Sequence, residues 1–489
     1  MGSRSPRSVS WFVQKPKPSG AASGGCGSVM VASSLGSRCT ASYAPTPARC
    51  RAPRRGGTRR SVHREAAVGR SVPGGTLQRA PGVGLGDPTS SRGDQGDLPM
   101  GHRTLRLCGL LLLSAAMACT SQPDAASGQE GARGGGDRPA IAGWEDWKTD
   151  FGKATVPLEE ITSGGPPRDG IPAIDAPKFV SVGEADRWLD DREPVAVVRR
   201  ADEVKAYPLQ ILIWHEIVND VVGGSPVSVT FCPLCNTTLA FDRNFDGRVL
   251  DFGTTGRLRH SDLVMYDRQT HTWWQQATGE GIVGLYAGEQ LTFVPTQVVR
   301  WADVKTEWPE AKVLSRETGY DRPYGNNPYR GYDSGPGPIQ RFFQFGRRDR
   351  RLEPMERVVA LEHGGEALAL PFSRLAERRV AEVEVGGRDV VVFWAPGTAS
   401  ALDDGSIARG RDVGTSAAFE PVVDGRRLHF EPAGDGRFRD RETGTVWSIT
   451  GRALEGELAG RQLTEVVHGN HFWFAWGTFR PETKIWNGR

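Results

Sequence analysis

Val227-Ser228-Val229-Thr230-Phe231-Cys232-Pro233-Leu234-Cys235-Asn236-Thr237-Thr238-Leu239-Ala240-Phe241-Asp242 reads as two alternating strands joined by a short turn that carries two cysteines. Val249 to Phe252 and Val390 to Trp394 have the same alternation, and Gly, Asp and Asn separate such runs. Just upstream, Pro208 suits a first helical turn, and Ile211, Leu212, Trp214, His215 and Val218 form an apolar stripe. Gly223-Gly224 is expected to stop that helix. The pattern predicts a mainly β (β-rich α+β) protein.

Constant offsets reveal an internal duplication. Ala206-Tyr207-Pro208 and Val222-Gly223-Gly224 recur 163 residues later as Ala369-Leu370-Pro371 and Val385-Gly386-Gly387. Phe241, Gly247, Leu250 and Phe252 recur at 178 as Phe419, Gly425, Leu428 and Phe430, and Asp267, Thr270 and Trp274 at 173 as Asp440, Thr443 and Trp447. Gly284, Gln290, Trp301 and Pro309 return at 172 as Gly456, Gln462, Trp473 and Pro481. The expectation is two tandem, internally duplicated lobes, each with one short helix, over residues 144–345 and 346–489. The join, Tyr320 to Gly337, is rich in Pro and Tyr and reads either as a covering loop or as an ordered connector.

The first 99 residues hold 15 Lys and Arg against 4 Asp and Glu, with abundant Gly, Ser and Pro and no apolar periodicity. Removing them from the totals of 61 and 58 leaves 46 basic and 54 acidic residues, a formal charge of −8, so the basic balance belongs to the leader. A nucleic-acid arm is disfavoured because an export signal follows it; residues 1–99 read as a disordered or mistranslated extension. His102, Arg103 and Arg106, then Leu107 to Met117, form a signal-peptide pattern over 100–118 that is too short to span a bilayer. Ala116-Met117-Ala118-Cys119 resembles the lipobox of bacterial lipoproteins, and 119–143 is a Ser/Gly/Asp-rich tether. Cys119 is therefore expected to carry membrane lipid and to hold the protein in the bacterial cell envelope, with no nucleic-acid partner.

The chain resembles the bacterial family catalogued as domain of unknown function 3179. The resemblance rests on Gly164 to Asp175, His215-Glu216-Ile217-Val218-Asn219-Asp220, Phe231 to Asn236, and Met265-Tyr266-Asp267-Arg268 with Trp274. It spans roughly residues 155 to 485 and implies no assigned activity.

Of seven cysteines, five lie at or before residue 119, so the body holds only Cys232 and Cys235. Two intervening residues let both sulfurs face one point, which serves a soft metal, a redox disulfide or a structural clip. At the duplicated positions Cys232 and Cys235 become Ala395 and Thr398, and His215-Glu216 become Arg378-Arg379. The segment Gly253 to Tyr266, with His260, Asp262 and Met265, shrinks by five residues in the second repeat and loses all three.

Cys232, Cys235, His260 and His215 are thus the expected metal ligands, for copper or zinc. A satisfied core histidine and a disulfide-stapled binding or scaffold module are the alternatives. Thioredoxin-like chemistry fits less well, since Thr237 to Asp242 alternates like a strand where a helix N-terminus is needed. His468 and His471 lie opposite Thr296 and Val299 and read as structural. Asp169 and Asp175 sit in a Pro/Gly turn that can reach a site. Trp273-Trp274 with Tyr324, Tyr329 and Tyr332 can make a glycan platform, although Trp274 recurs as Trp447 and reads as framework.

Overall fold

A computed structural model of the chain describes residues 146–489. The extension 1–99, the segment 100–118, Cys119 and the tether 119–143 lie outside the described residues. Strands dominate, as the alternation predicts, and they assemble into several sheets.

The helix after Pro208 is shorter than its apolar stripe suggests. It runs Leu209–His215 and stops at Glu216, a left-handed residue (φ 58°) whose amide donates to the Leu212 carbonyl at 2.6 Å. The β-branched run that follows, Ile217–Val222, pairs antiparallel with Ser225–Cys232. Gly223-Gly224 is consequently a hairpin turn and not a helix stop. Both glycines have positive φ (55° and 79°), as a tight two-residue hairpin requires, and a Cβ on Gly223 would lie 2.3 Å from the Arg200 carbonyl oxygen. Ser225–Cys232 then pairs with Thr237–Asp242, Cys232 opposite Thr237.

The second half repeats this order. Arg357–His363, Glu366–Pro371, the helix Phe372–Arg378, Val380–Val385 and Arg388–Ala395 follow one another as Pro194–Arg200, Glu203–Pro208, Leu209–His215, Ile217–Val222 and Ser225–Cys232 do. Gly386 and Gly387 repeat the hairpin turn at 55° and 81°. A second seven-residue helix, unanticipated from sequence, occurs in each half: Trp301–Glu307 and Trp473–Phe479.

The halves are not independent lobes. One eight-stranded sheet takes Val380–Val385, Arg388–Ala395 and Thr415–Phe419 from the second half and continues into Gln297–Arg300 and Pro194–Arg200 of the first, joined at Val298 and Ser416. Reciprocally, Gly469–Phe472, the counterpart of Gln297–Arg300, lies on the first half: the Phe472 amide donates to the Cys235 carbonyl at 2.9 Å. This exchange buries the surface that separate lobes would leave exposed.

The largest difference between the halves is one hairpin. Phe252–Arg259 and Asp262–Asp267 turn at His260-Ser261 (φ 53° and 71°). The counterpart, Phe430–Gly434 with Arg437–Asp440, turns at Asp435-Gly436 (48° and 71°). The five additional residues of the first hairpin carry its tip to the cysteine turn, where the Cys232 thiol points to the Ser261 carbonyl at 3.8 Å.

Candidate metal centre

Cys232 ends a buried strand, Thr237 begins the next, and Asn236 (φ 54°) closes the turn with its amide on the Pro233 carbonyl at 3.3 Å. Asparagine is among the few non-glycine residues that enter the left-handed region readily. The turn brings both thiols to one side, and the long hairpin adds Asp262. Sulfur and carboxylate atoms of Cys232, Cys235 and Asp262 all lie within 4.8 Å of one another, and all three residues are buried.

The two oxygens of Asp262 are treated unequally. Oδ2 accepts from the Gln275 side chain at 2.6 Å and from the Ala277 amide at 2.9 Å. Oδ1 is buried and meets no N–H or O–H donor; the remaining donors to the carboxylate are the weakly donating Cys232 and Cys235 thiols. Burial pushes the Asp262 carboxyl up to about 6 despite those two donors and the neighbouring thiols, all of which favour the anion. Burial likewise raises both thiols, Cys235 well above the usual range, with Cys232 and Asp262 adding to the effect. Glu216, the left-handed residue at the helix end, is pushed up to about 8, by burial first and by Asp262 second. Without a cation, neutral thiols beside one carboxylate are the stable state; a divalent ion would reverse this by favouring the thiolates.

The predicted histidines do not join this group. His215 has both ring nitrogens engaged, Nδ1 with the Pro172 carbonyl and Nε2 with the Tyr324 hydroxyl, each at 2.7 Å. His260 takes the first, left-handed position of the hairpin tip; its Nε2 lies 3.2 Å from Glu160 and its ring packs on Phe479. Burial drives both toward the neutral form, His215 down to about 4 and His260 to about 3. His215 and His260, expected as ligands, lie outside this cluster, and its third member is Asp262, from the same lost segment as His260.

The remaining sequence candidates have structural partners. His468 contacts the Val466 carbonyl at 2.9 Å, and His471 contacts the Thr237 hydroxyl at 2.8 Å while stacking on Trp476. Arg268 pairs with Asp175 at 2.7 Å and approaches Asp169, whose other oxygen accepts from the Tyr266 hydroxyl. Trp273 and Trp274 are fully buried, so they offer no glycan platform. Tyr324 reaches His215 and Thr318, while the Tyr332 hydroxyl donates to the Leu234 carbonyl at 2.9 Å, so the Tyr320 to Gly337 segment covers the cysteine turn. Glu216 was missed as a site residue, although its replacement by Arg379 in the second half was a signal for it.

Two sulfurs and one carboxylate oxygen at one buried point suit a borderline ion such as zinc, whose sulfur and oxygen distances of about 2.0–2.3 Å need only small side-chain movements from this spacing. No helix among the described residues is long and apolar enough to cross a membrane. No curated protein and no solved structure matches the chain. A model of a family described as a protein of unknown function, DUF3179, matches residues 168–483, well over half of the chain, and the chain belongs to that family.

Proposed function

We propose that this is a lipid-anchored protein of the bacterial cell envelope whose first half holds a transition-metal ion on Cys232, Cys235 and Asp262, for metal handling or redox work. The observation that carries the metal reading is the convergence of two free, buried thiols and the buried Asp262 carboxylate within 4.8 Å of one another. Thiols are weak donors, so the buried carboxylate is incompletely satisfied by them, and a bound cation would satisfy it fully. Between the two metals expected from sequence, a carboxylate ligand favours zinc over copper(I), which prefers sulfur. The envelope reading rests on the short apolar segment that ends at Cys119.

Metal analysis of the purified full-length protein tests the site. One zinc per chain is expected, lost in Cys232→Ser and in Asp262→Asn. Metal-free protein with a reversibly reducible Cys232 to Cys235 bond would overturn the reading and favour a disulfide clip, which the close approach of the two thiols also permits.

A further inference from the structure

Arg341, Arg347, Arg348, Arg350 and Arg351 share eleven residues with one carboxylate, Asp349, the densest positive run among the described residues. The run folds as a closed loop. The short helical turn Gln340–Phe342 leads to Gly346, whose amide donates to the Phe343 carbonyl at 3.1 Å, and the Arg348 guanidinium returns to the Gln340 side chain. A Cβ at Gly346 would lie 2.3 Å from the Phe343 ring, so the turn needs glycine. Phe342 and Phe343 are buried and fasten the base, Phe343 edge-on to Phe474 at 5.2 Å. The Thr478 hydroxyl donates to the Arg347 carbonyl at 3.0 Å and the Trp473 indole to the Asp349 carbonyl at 3.1 Å. Phe345 is left outside at 46% exposure, the one exposed phenyl or indole ring among the described residues.

The charge around that ring is mostly unspent. Arg351 pairs with Asp349 at 2.6 Å. Arg341, Arg347, Arg348 and Arg350 are exposed and form no ion pair with a described carboxylate; Glu353, which shares a cleft with Arg348 and Arg350, offsets one of the four. An outward ring among free guanidinium groups, on a loop tied down at its base, suits a surface that is anionic at its face and apolar beneath.

We infer that residues 341–350 dock on the anionic headgroups of a lipid bilayer, the arginines on lipid phosphates and Phe345 at the acyl boundary. The inference rests on the envelope reading, which puts such a surface within reach of the chain. Each guanidinium at an anionic bilayer strengthens attachment about fivefold, so three of them carry most of it.

The full-length Cys119→Ser protein, which has no acyl group at that position, supplies the test. The basic segment 1–99 also attracts anionic vesicles, so the readout is local: quenching of a Phe345→Trp indole, relative to the same chain with Phe345, by lipids brominated in the acyl chain. Vesicles of about one-third phosphatidylglycerol in phosphatidylcholine are expected to quench it, and phosphatidylcholine alone is not. Adding Arg347→Gln, Arg348→Gln and Arg350→Gln should raise the half-quenching lipid concentration at least about tenfold. Substituting Arg437, Arg441 and Arg461 instead, three exposed arginines of other turns, should leave it unchanged. Absent quenching, equal quenching by phosphatidylcholine alone, or an equal loss in the control would each overturn the inference. Absent quenching with arginine-dependent binding to duplex DNA would overturn it in favour of nucleic acid. Because no acyl group takes part, failure here leaves the lipid anchor standing, and failure of the anchor is read separately by cell fractionation.

Discussion

Glu216 and Arg379 occupy the same place in the two halves. Each ends a seven-residue helix in the left-handed conformation, at φ 58° and 67°. Each donates its amide to a carbonyl four residues back, Leu212 or Leu375, and accepts at 2.8 Å from the amide of Phe231 or Trp394. The backbone is thus held in common while the side chains differ: the buried Glu216 carboxyl feels the charge of Asp262, whereas the guanidinium of Arg379 lies 4.5 Å over the Trp394 ring.

Glu216→Arg therefore keeps a backbone that tolerates arginine but places a long cation where a neutral carboxyl is buried. Its expected cost is about 3 kcal/mol or more, against about 1 kcal/mol or less for Glu216→Gln. Urea unfolding of the two variants checks this, and equal stabilities would refute it.

Asp267 and Asp440 hold matching braces. Each accepts from the hydroxyl and amide of a threonine three residues on, and from a buried indole, Trp274 at 3.0 Å and Trp447 at 2.9 Å. Asp267→Ala and Asp440→Ala should each destabilise by about 2–3 kcal/mol, because each leaves a buried indole N–H and two part-buried threonine donors without their acceptor. The double variant should lose close to the sum, since the braces lie in separate hairpins. Denaturant midpoints of the three proteins test both statements.

His471 is fully buried against Thr237 and Trp476, and desolvation, with Arg480 and His468 adding to it, lowers it to about 3. An unfolded chain binds this proton below about pH 6.5 while the native state does not. Stability from this residue is complete above that pH and falls as pH drops toward 3, by up to about 1.4 kcal/mol per pH unit. His215 and His260 act in the same direction. His471→Gln should flatten the decline between pH 6 and 4; a parallel profile would show that the native imidazole is protonated.

On the proposed envelope reading, Cys119 holds the protein at the membrane. Fractionation of cells expressing Cys119→Ser should show the protein released from membranes, or retained as an uncleaved precursor lacking lipid label. Mature protein that stays membrane-bound with the label unchanged would refute the anchor.

Much of the fold was legible because strand alternation and the recurrence of Gly223 as Gly386 and Trp274 as Trp447 are local signals. Helix length was not: Ile217 and Val218 continue an apolar stripe and equally begin a β-branched strand, and only the reversal at Glu216 decides between them. The pairing of Val298 with Ser416 has no local signature, so the sequence indicates two tandem repeats without showing that they share one sheet. At the candidate site, the joint loss of His260 and Asp262 pointed to the hairpin that meets the cysteine turn. Which of the two turns toward the cysteines depends on the left-handed pair His260-Ser261 at its tip, and periodicity does not report that conformation.

The amide of Phe472 on the carbonyl of Cys235 has a consequence for the order in which the molecule is made. The cysteine turn leaves the ribosome more than two hundred residues before the strand that finishes its surroundings. During that interval the two thiols lack part of their shelter, at a stage when neither a metal nor an oxidant is kept out. A chain cut short before its last twenty residues would carry every proposed ligand yet lack the strand that lies against the cysteine turn.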